Sequence, residues 1–202
     1  MARPDTRQRL LSALALDSTA SSDFDLNPGT VLPPGRKLRD AAVLIGIQDT
    51  ERGPRLYLTK RASHLAHHPG QIAFPGGKKD DGDASLEAAA LREAREEIGL
   101  PPEHVEILGR LPCHETVTSF QVTPVVAMIT APFDLRPEPG EVEEVFTVPL
   151  SHVADPNRFQ IEGRRWRGQK RYYYTVPRGP YYIWGATARM LRGLAERMAQ
   201  LP

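Results

Sequence analysis

Three glutamates stand close together in the run Arg92-Glu93-Ala94-Arg95-Glu96-Glu97-Ile98-Gly99-Leu100. At about 100° per residue, a helix built on this run gathers Glu93, Glu96 and Glu97 on one stripe, beside an apolar stripe of Ala90, Leu91, Ala94 and Ile98. Acids spaced i, i+3 and i+4 repel one another by about 0.2–0.5 kcal/mol per neighbouring pair. They also occupy the last turns, where the helix dipole disfavours negative charge. A divalent cation reverses both penalties, because clustered carboxylate oxygens are what Mg2+ or Mn2+ prefers as ligands. A solvated acidic face is the other reading of the same stripe.

The elements that would carry this cluster follow from local signals. A helix is predicted from about Ala84 to Ile98, with Asp83 or Ser85 as N-cap, Gly99 as terminator and Pro101 and Pro102 behind it. Apolar runs of strand length occur at 41–47, 55–61, 105–111, 121–130, 142–150 and 170–176, and the polar turn QDTERGP joins the first two as a hairpin. A second helix is predicted from GATARMLRGLAERMAQ, with Met190, Leu191, Leu194 and Met198 along one side. That side either packs on the core or pairs with a second subunit in a homodimer. Strands interspersed with a few helices, without repeated βα units, imply an α/β (α+β) class fold, a three-layer α/β/α sandwich around a mixed central β-sheet. Residues 1–40 read as an N-terminal helix and a Ser/Pro/Gly-rich linker, and residues 41–202 as the main domain.

Bulk properties narrow the classes. A chain of 202 residues, 40% apolar and 25% charged, suits one domain with a real core. Its formal charge of +1 advertises no nucleic-acid partner, so any phosphate site must be local. The one cysteine, Cys113, can close no internal disulfide and favours a reducing compartment. No apolar run has the length of a membrane helix, and the N-terminus lacks the order of a secretory signal. The opening MARPDTRQRLLSALAL could serve as a transit segment, but with Asp5 and Asp17 flanking it the pattern serves equally well as a surface helix. The expectation is a soluble cytoplasmic protein, without membrane attachment.

The wider spacing is more specific. From Gly77 the chain runs five residues to Asp83, then eight to Arg92 and the acidic run. This closely resembles the Nudix box, a glycine, an acid, and then R-E-U-x-E-E-x-G-U, where U is a bulky aliphatic. The resemblance implies a Nudix hydrolase that cuts a nucleoside diphosphate linked to another group, using a divalent metal. It implies Glu96 and Glu97 as the main metal ligands and Glu93 as a ligand or an aid to the attacking water. It further implies Arg92 as the residue that orients the acids, and the Gly76 carbonyl as a backbone ligand. Two features depart from the pattern: Asp83 replaces the usual glutamate with one extra residue before Arg92, and Ala94 is small for its slot.

The preceding segment LTKRASHLAHHPGQIAFPGGKKDDGD resembles the signature of the coenzyme A pyrophosphatase branch, in which L-T-x-R, L-x-x-H-x-G-Q and F-P-G-G precede a box with the same aspartate and extra residue. TSFQVTPVV and YYIWGATARMLRGL resemble later stretches of that branch. The implied substrate is coenzyme A or acyl-coenzyme A. Lys60 and Arg61 could meet a phosphate as point charge and fork. His68 and Gln71 of the turn, with Gly77, complete the expected substrate contacts, and His67 either joins them or caps the turn. A further acid near the metal is expected at Glu141, with Glu144 as its rival. The tyrosines of RYYYTVP either stack on adenine or pack, and Trp184 is expected to pack. The alternatives are another Nudix substrate (a dinucleotide, a nucleotide sugar or a damaged nucleotide) and a nucleotide-binding module without catalysis.

Overall fold

Residues 41–47 send side chains alternately to two apolar layers, which is why this stretch is an almost unbroken apolar run. Ala41, Ile45 and Ile47 face one layer, and Ala42 and Leu44 the other. The computed structural model describes residues 5–32, 35–65, 68–166 and 168–201.

The chain order is α1 (Thr6–Leu14), β1 (Ser21–Ser22), β2 (Arg39–Gln48), β3 (Arg55–Arg61), β4 (Ile72–Ala73), β5 (Gly76–Lys78) and α2 (Leu86–Ile98). Then come β6 (Val105–Arg110), β7 (His114–Glu115), β8 (Phe120–Ile129), β9 (Val142–Pro149), α3 (Leu150–Val153), β10 (Gln160–Trp166), β11 (Gln169–Thr175) and α4 (Gly185–Met198). The sheet is mixed. β2 runs parallel to β8 and antiparallel to β3, with β7 and β6 on β8, β9 on β3, and β1 on β7. Helix α2 packs on the face bearing Ala42, Leu44, Val125 and Ala127, whereas Leu10 of α1 and Leu191 and Leu194 of α4 fill the other. The predicted α/β/α layering is therefore present. No helix among the described residues is long and apolar enough to cross a membrane.

The sheet splits at one point, and the split positions the site. β3 pairs with β2 only at Ile47–Leu56 and Gln48–Arg55 before diverging to join β9. The short β5 takes the vacated edge of β2 through Ala41–Lys78, Ala42–Gly77 and Val43–Gly76. This brings the two glycines beneath α2.

Several sequence expectations shift. Helix α2 begins at Leu86 and not Ala84, because the Ser85 hydroxyl accepts the Ala88 N–H at 3.1 Å. Asp83 is no cap; its carboxylate is engaged elsewhere. β10, which the residue pattern does not announce, pairs with β11 as a ribbon outside the main sheet, so it needs no continuous apolar face. Met190, Leu191, Leu194 and Met198 are all buried within this chain, so the apolar side of α4 is satisfied without a second subunit. The N-terminal segment is fastened to the body. Leu10 and Ala13 are buried, and the buried His114 ring joins Ser21 Oγ at 2.9 Å through Nδ1 and Asp23 Oδ1 at 3.1 Å through Nε2.

Candidate active site

Ala89, Ala90 and Ala94 have small side chains, and all three are fully buried, which lets α2 lie close to Ala42 and Val125 of the sheet. This gives a packing reason for alanine at position 94. Glu97 lies on the same packed side and is only 4% exposed, in contrast to the separate acidic stripe read from the sequence. The C-terminus of α2 is closed by Gly99 in the left-handed region (φ 74°), with Gly99 N–H donating to Arg95 and Leu100 N–H to Ala94.

Glu97 Oε2 accepts the Gly76 N–H at 3.2 Å. Burial pushes its pKa up to about 8; the Gly76 bond works against this, the charges of Glu93 and Glu141 add to it, and Arg61 offsets part. Glu93 is raised too, first by burial and then by Glu96 and Glu141, with Arg92 opposing. Gly76 and Gly77 are required here by space. A Cβ on Gly76 would stand 2.6 Å from Val43 Cα, and one on Gly77 would stand 2.5 Å from Glu93 Oε1.

Arg92 organises the acids. Its Nε and Nη2 donate to Asp83 Oδ1 and Oδ2 at 3.0 and 2.9 Å, a bidentate pair. Its Nη1 donates at 3.0 Å to both Glu93 Oε1 and Glu96 Oε2, and Nη2 also reaches the Lys78 carbonyl at 3.2 Å. Asp83 accepts the Asp80 N–H at 2.8 Å as well, and Arg92 chiefly holds its pKa down at about 2. The shorter aspartate therefore still reaches the arginine.

The acids predicted as one ligand set are thus divided. Glu93 and the largely exposed Glu96 face Arg92, while Glu97 faces Gly76, whose N–H rather than its carbonyl makes the contact. Among the described residues no group of three or more Asp, Glu, His or Cys side chains converges as a ready ion cage. Electrostatically, however, the Glu141 charge acts on both Glu93 and Glu97, and that of Glu93 acts on Glu97. Glu93 and Glu97, partly or fully buried and with raised proton affinity, are donors of the kind a hard divalent cation satisfies.

Glu141 lies just before β9, its carbonyl accepting the Ala62 N–H at 2.8 Å. Glu144 instead accepts the Tyr181 hydroxyl at 2.5 Å, and Tyr181 stacks on Phe146 with ring centres 3.5 Å apart. Lys60 is ion-paired with Glu143 at 2.5 Å, a partner the sequence reading missed because it comes from the neighbouring strand β9. Arg61 has its charge within reach of Glu97, and its N–H donates to the Gln71 carbonyl at 3.0 Å. His68 is exposed with φ 54°, its carbonyl accepting the Gln71 N–H at 3.2 Å. Gln71 Nε2 lies near Gly185 at the start of α4. His67 lies outside the described residues. Tyr173 meets Trp184 edge-on at 5.1 Å, and Tyr174 lies against Arg189 and Arg192, so both tyrosines pack.

Comparison with known proteins agrees with this arrangement. The family model described as the NUDIX domain matches residues 37–167. An uncharacterised Nudix hydrolase, NudL, of Enterobacter sp. (strain 638) is 47% identical over 164 residues, covering 81% of this chain and 85% of the relative. NudL of Salmonella paratyphi B is 44% identical over the same length. In fold, the chain is similar to the MutT protein from Methanosarcina mazei Go1, with a TM-score of 0.53 and 19% identity over 84% of this chain and all of that one. A MutT/nudix family protein from Enterococcus faecalis gives 0.52 and 16% identity over 85% of this chain and 66% of that one. With a box helix whose arginine holds Glu93 and Glu96 and whose Glu97 holds Gly76, and with these matches over most of its length, the chain belongs to the Nudix hydrolase family.

Proposed function

We propose that this Nudix hydrolase cleaves the diphosphate of coenzyme A or its thioesters, adding water across the P–O–P bridge to give adenosine 3′,5′-bisphosphate and (acyl-)4′-phosphopantetheine. The observation that carries the substrate class is the stretch from Leu58 to Asp83, which resembles the coenzyme A pyrophosphatase signature and leads directly into Glu97 through Arg61 and Gly76.

Glu97, Glu93 and Glu141 would hold Mg2+ or Mn2+, with Glu96 and the Gly76 carbonyl as the further ligands expected from the box. When bound, the cation supplies neutralising charge for the diphosphate and polarises the attacking water. Glu93 or Glu141 would accept the proton of the attacking water, and for Glu93 burial raises the proton affinity while Arg92 Nη1 fixes the orientation. Arg61 offers a fork to a phosphate beside Glu97, and Gln71 and His68 border the same approach. Lys60 joins them by exchanging Glu143 for a phosphate oxygen.

The test is mass spectrometry of products from coenzyme A, an acyl-coenzyme A, NADH and ADP-ribose, each with Mg2+ or Mn2+ and with EDTA as control. Metal-dependent release of phosphopantetheine is expected. Cleavage of NADH or ADP-ribose alone would reject the coenzyme A assignment, and binding without any cleavage would favour a nucleotide sensor.

A further inference from the structure

Arg197 is 4% exposed, yet neutral oxygens meet its guanidinium. Nε donates to Ser18 Oγ at 3.0 Å, Nη1 to the Ala13 and Leu14 carbonyls at 3.3 and 3.5 Å, and Nη2 again to the Ser18 hydroxyl. Those carbonyls end α1, where the helix dipole is negative, and Asp17 acts from further away. Burial still pushes the arginine pKa down. A buried cation without a carboxylate in contact is costly, and an anion beside it would remove that cost.

The structure provides the space. A partly open cavity of about 130 Å³ runs along one side of α4, lined by Ser18, Thr19, Ser21, Arg189, Arg197 and Gln200. Glu196 also borders it, but its carboxylate is held by Arg192 Nε at 2.7 Å. Arg189 turns Nε to Asp25 at 2.9 Å, which leaves its Nη groups as donors at the rim. Arg197 retains one Nη2 hydrogen, and Ser18, which accepts from Arg197, keeps its own hydrogen to donate. Ser21 is committed to His114 Nδ1, and Gln200 Nε2 gives one hydrogen to the Glu196 carbonyl at 3.1 Å and keeps the other. With a water occupying about 30 Å³, the volume has room for one tetrahedral oxyanion.

We propose that this cavity is a binding site for a small oxyanion of phosphate type, with Arg197 and Arg189 supplying charge and Ser18, Thr19 and Gln200 supplying neutral donors. It lies under α4, on the sheet face opposite α2 and its glutamates, and it does not rest on the proposed substrate. The phosphate could be free or the terminal group of a larger molecule reaching in from the open side.

Thermal unfolding of the full chain in EDTA tests this, with inorganic phosphate or AMP titrated against chloride at constant ionic strength. The expected result is a rise in Tm that grows with the logarithm of phosphate concentration above a dissociation constant, about 5 °C or more at a hundredfold excess over that constant. The dissociation constant fitted to the rise should weaken tenfold or more in Arg189→Ala and in Gln200→Ala, each compared with its own anion-free Tm, and stay put in Arg61→Ala. An equal response to AMP identifies a terminal phosphate as ligand, and a response to inorganic phosphate alone identifies the free ion. A rise no greater than that in chloride, a dissociation constant unchanged in both cavity variants, or a response lost in Arg61→Ala overturns the proposal. If Arg189→Ala does not fold, Gln200→Ala decides.

Discussion

Arg92 grips Asp83 through two parallel hydrogen bonds of 3.0 and 2.9 Å while its remaining Nη reaches Glu93 at 3.0 Å. The aspartate, fastened to the Asp80 N–H, thus sets where the arginine lies, and the arginine sets where Glu93 points. Arg92→Lys removes the fork while keeping the charge. Both Arg92→Lys and Asp83→Ala should lower kcat about 10–100-fold, the range for residues that orient metal-binding acids. Steady-state kinetics on the diphosphate substrate measure it, and unchanged kcat in both would reduce the pair to a strut.

Glu97 should trade stability for activity. Its folded pKa of about 8 lies above the ordinary 4.5, so folding favours its protonated form. As pH rises through that interval the native state loses stability, and above about 8 the loss is complete. Glu97→Gln should therefore abolish metal-dependent turnover yet melt higher than the parent at pH 9 in EDTA, by on the order of 1–3 kcal/mol. At pH 4 the two should melt alike. A variant that is less stable at pH 9 contradicts this account of the buried carboxylate.

The paired glycines should fail in different ways. A methyl on Gly77 strikes the end of a side chain, Glu93, so Gly77→Ala should fold but lose at least about tenfold in kcat as that acid is displaced. A methyl on Gly76 strikes the backbone of β2, so Gly76→Ala should cost about 1–3 kcal/mol of stability. Denaturant unfolding beside kinetics separates them, and equal stability losses would refute the distinction.

Glu143 competes for Lys60, to which it is bound at 2.5 Å. Glu143→Ala should lower KM for a diphosphate substrate severalfold by releasing the lysine, and Lys60→Ala should raise it, with kcat little changed in either. If KM is the same in both variants, Lys60 makes no substrate contact.

How much of this was readable without coordinates depends on how local each feature is. The box helix, its glycine terminator, the strands expected at 55–61 and 142–150 and the C-terminal helix follow from spacing and periodicity within single segments of the chain. So does the closeness of Glu93, Glu96 and Glu97 along one helical turn, though not the division that sets Glu97 on Gly76 and the other two on Arg92.

What the sequence alone could not decide is which strands become neighbours and how deeply each face is covered. The same three glutamates are chemically equivalent in the sequence, yet packing of α2 on the sheet buries Glu97, half-buries Glu93 and leaves Glu96 in water. Glu141 and Glu144 are three residues apart, and only the pairing of β9 with β3 turns one toward the acids and the other toward Tyr181. The ribbon partner β10, the buried His114 clasp and the cavity at Arg197 likewise join residues up to 184 positions apart. Local spacing specified the chemistry at hand; desolvation and long-range pairing, which exist only once the layers close, selected which of the candidate groups carry it.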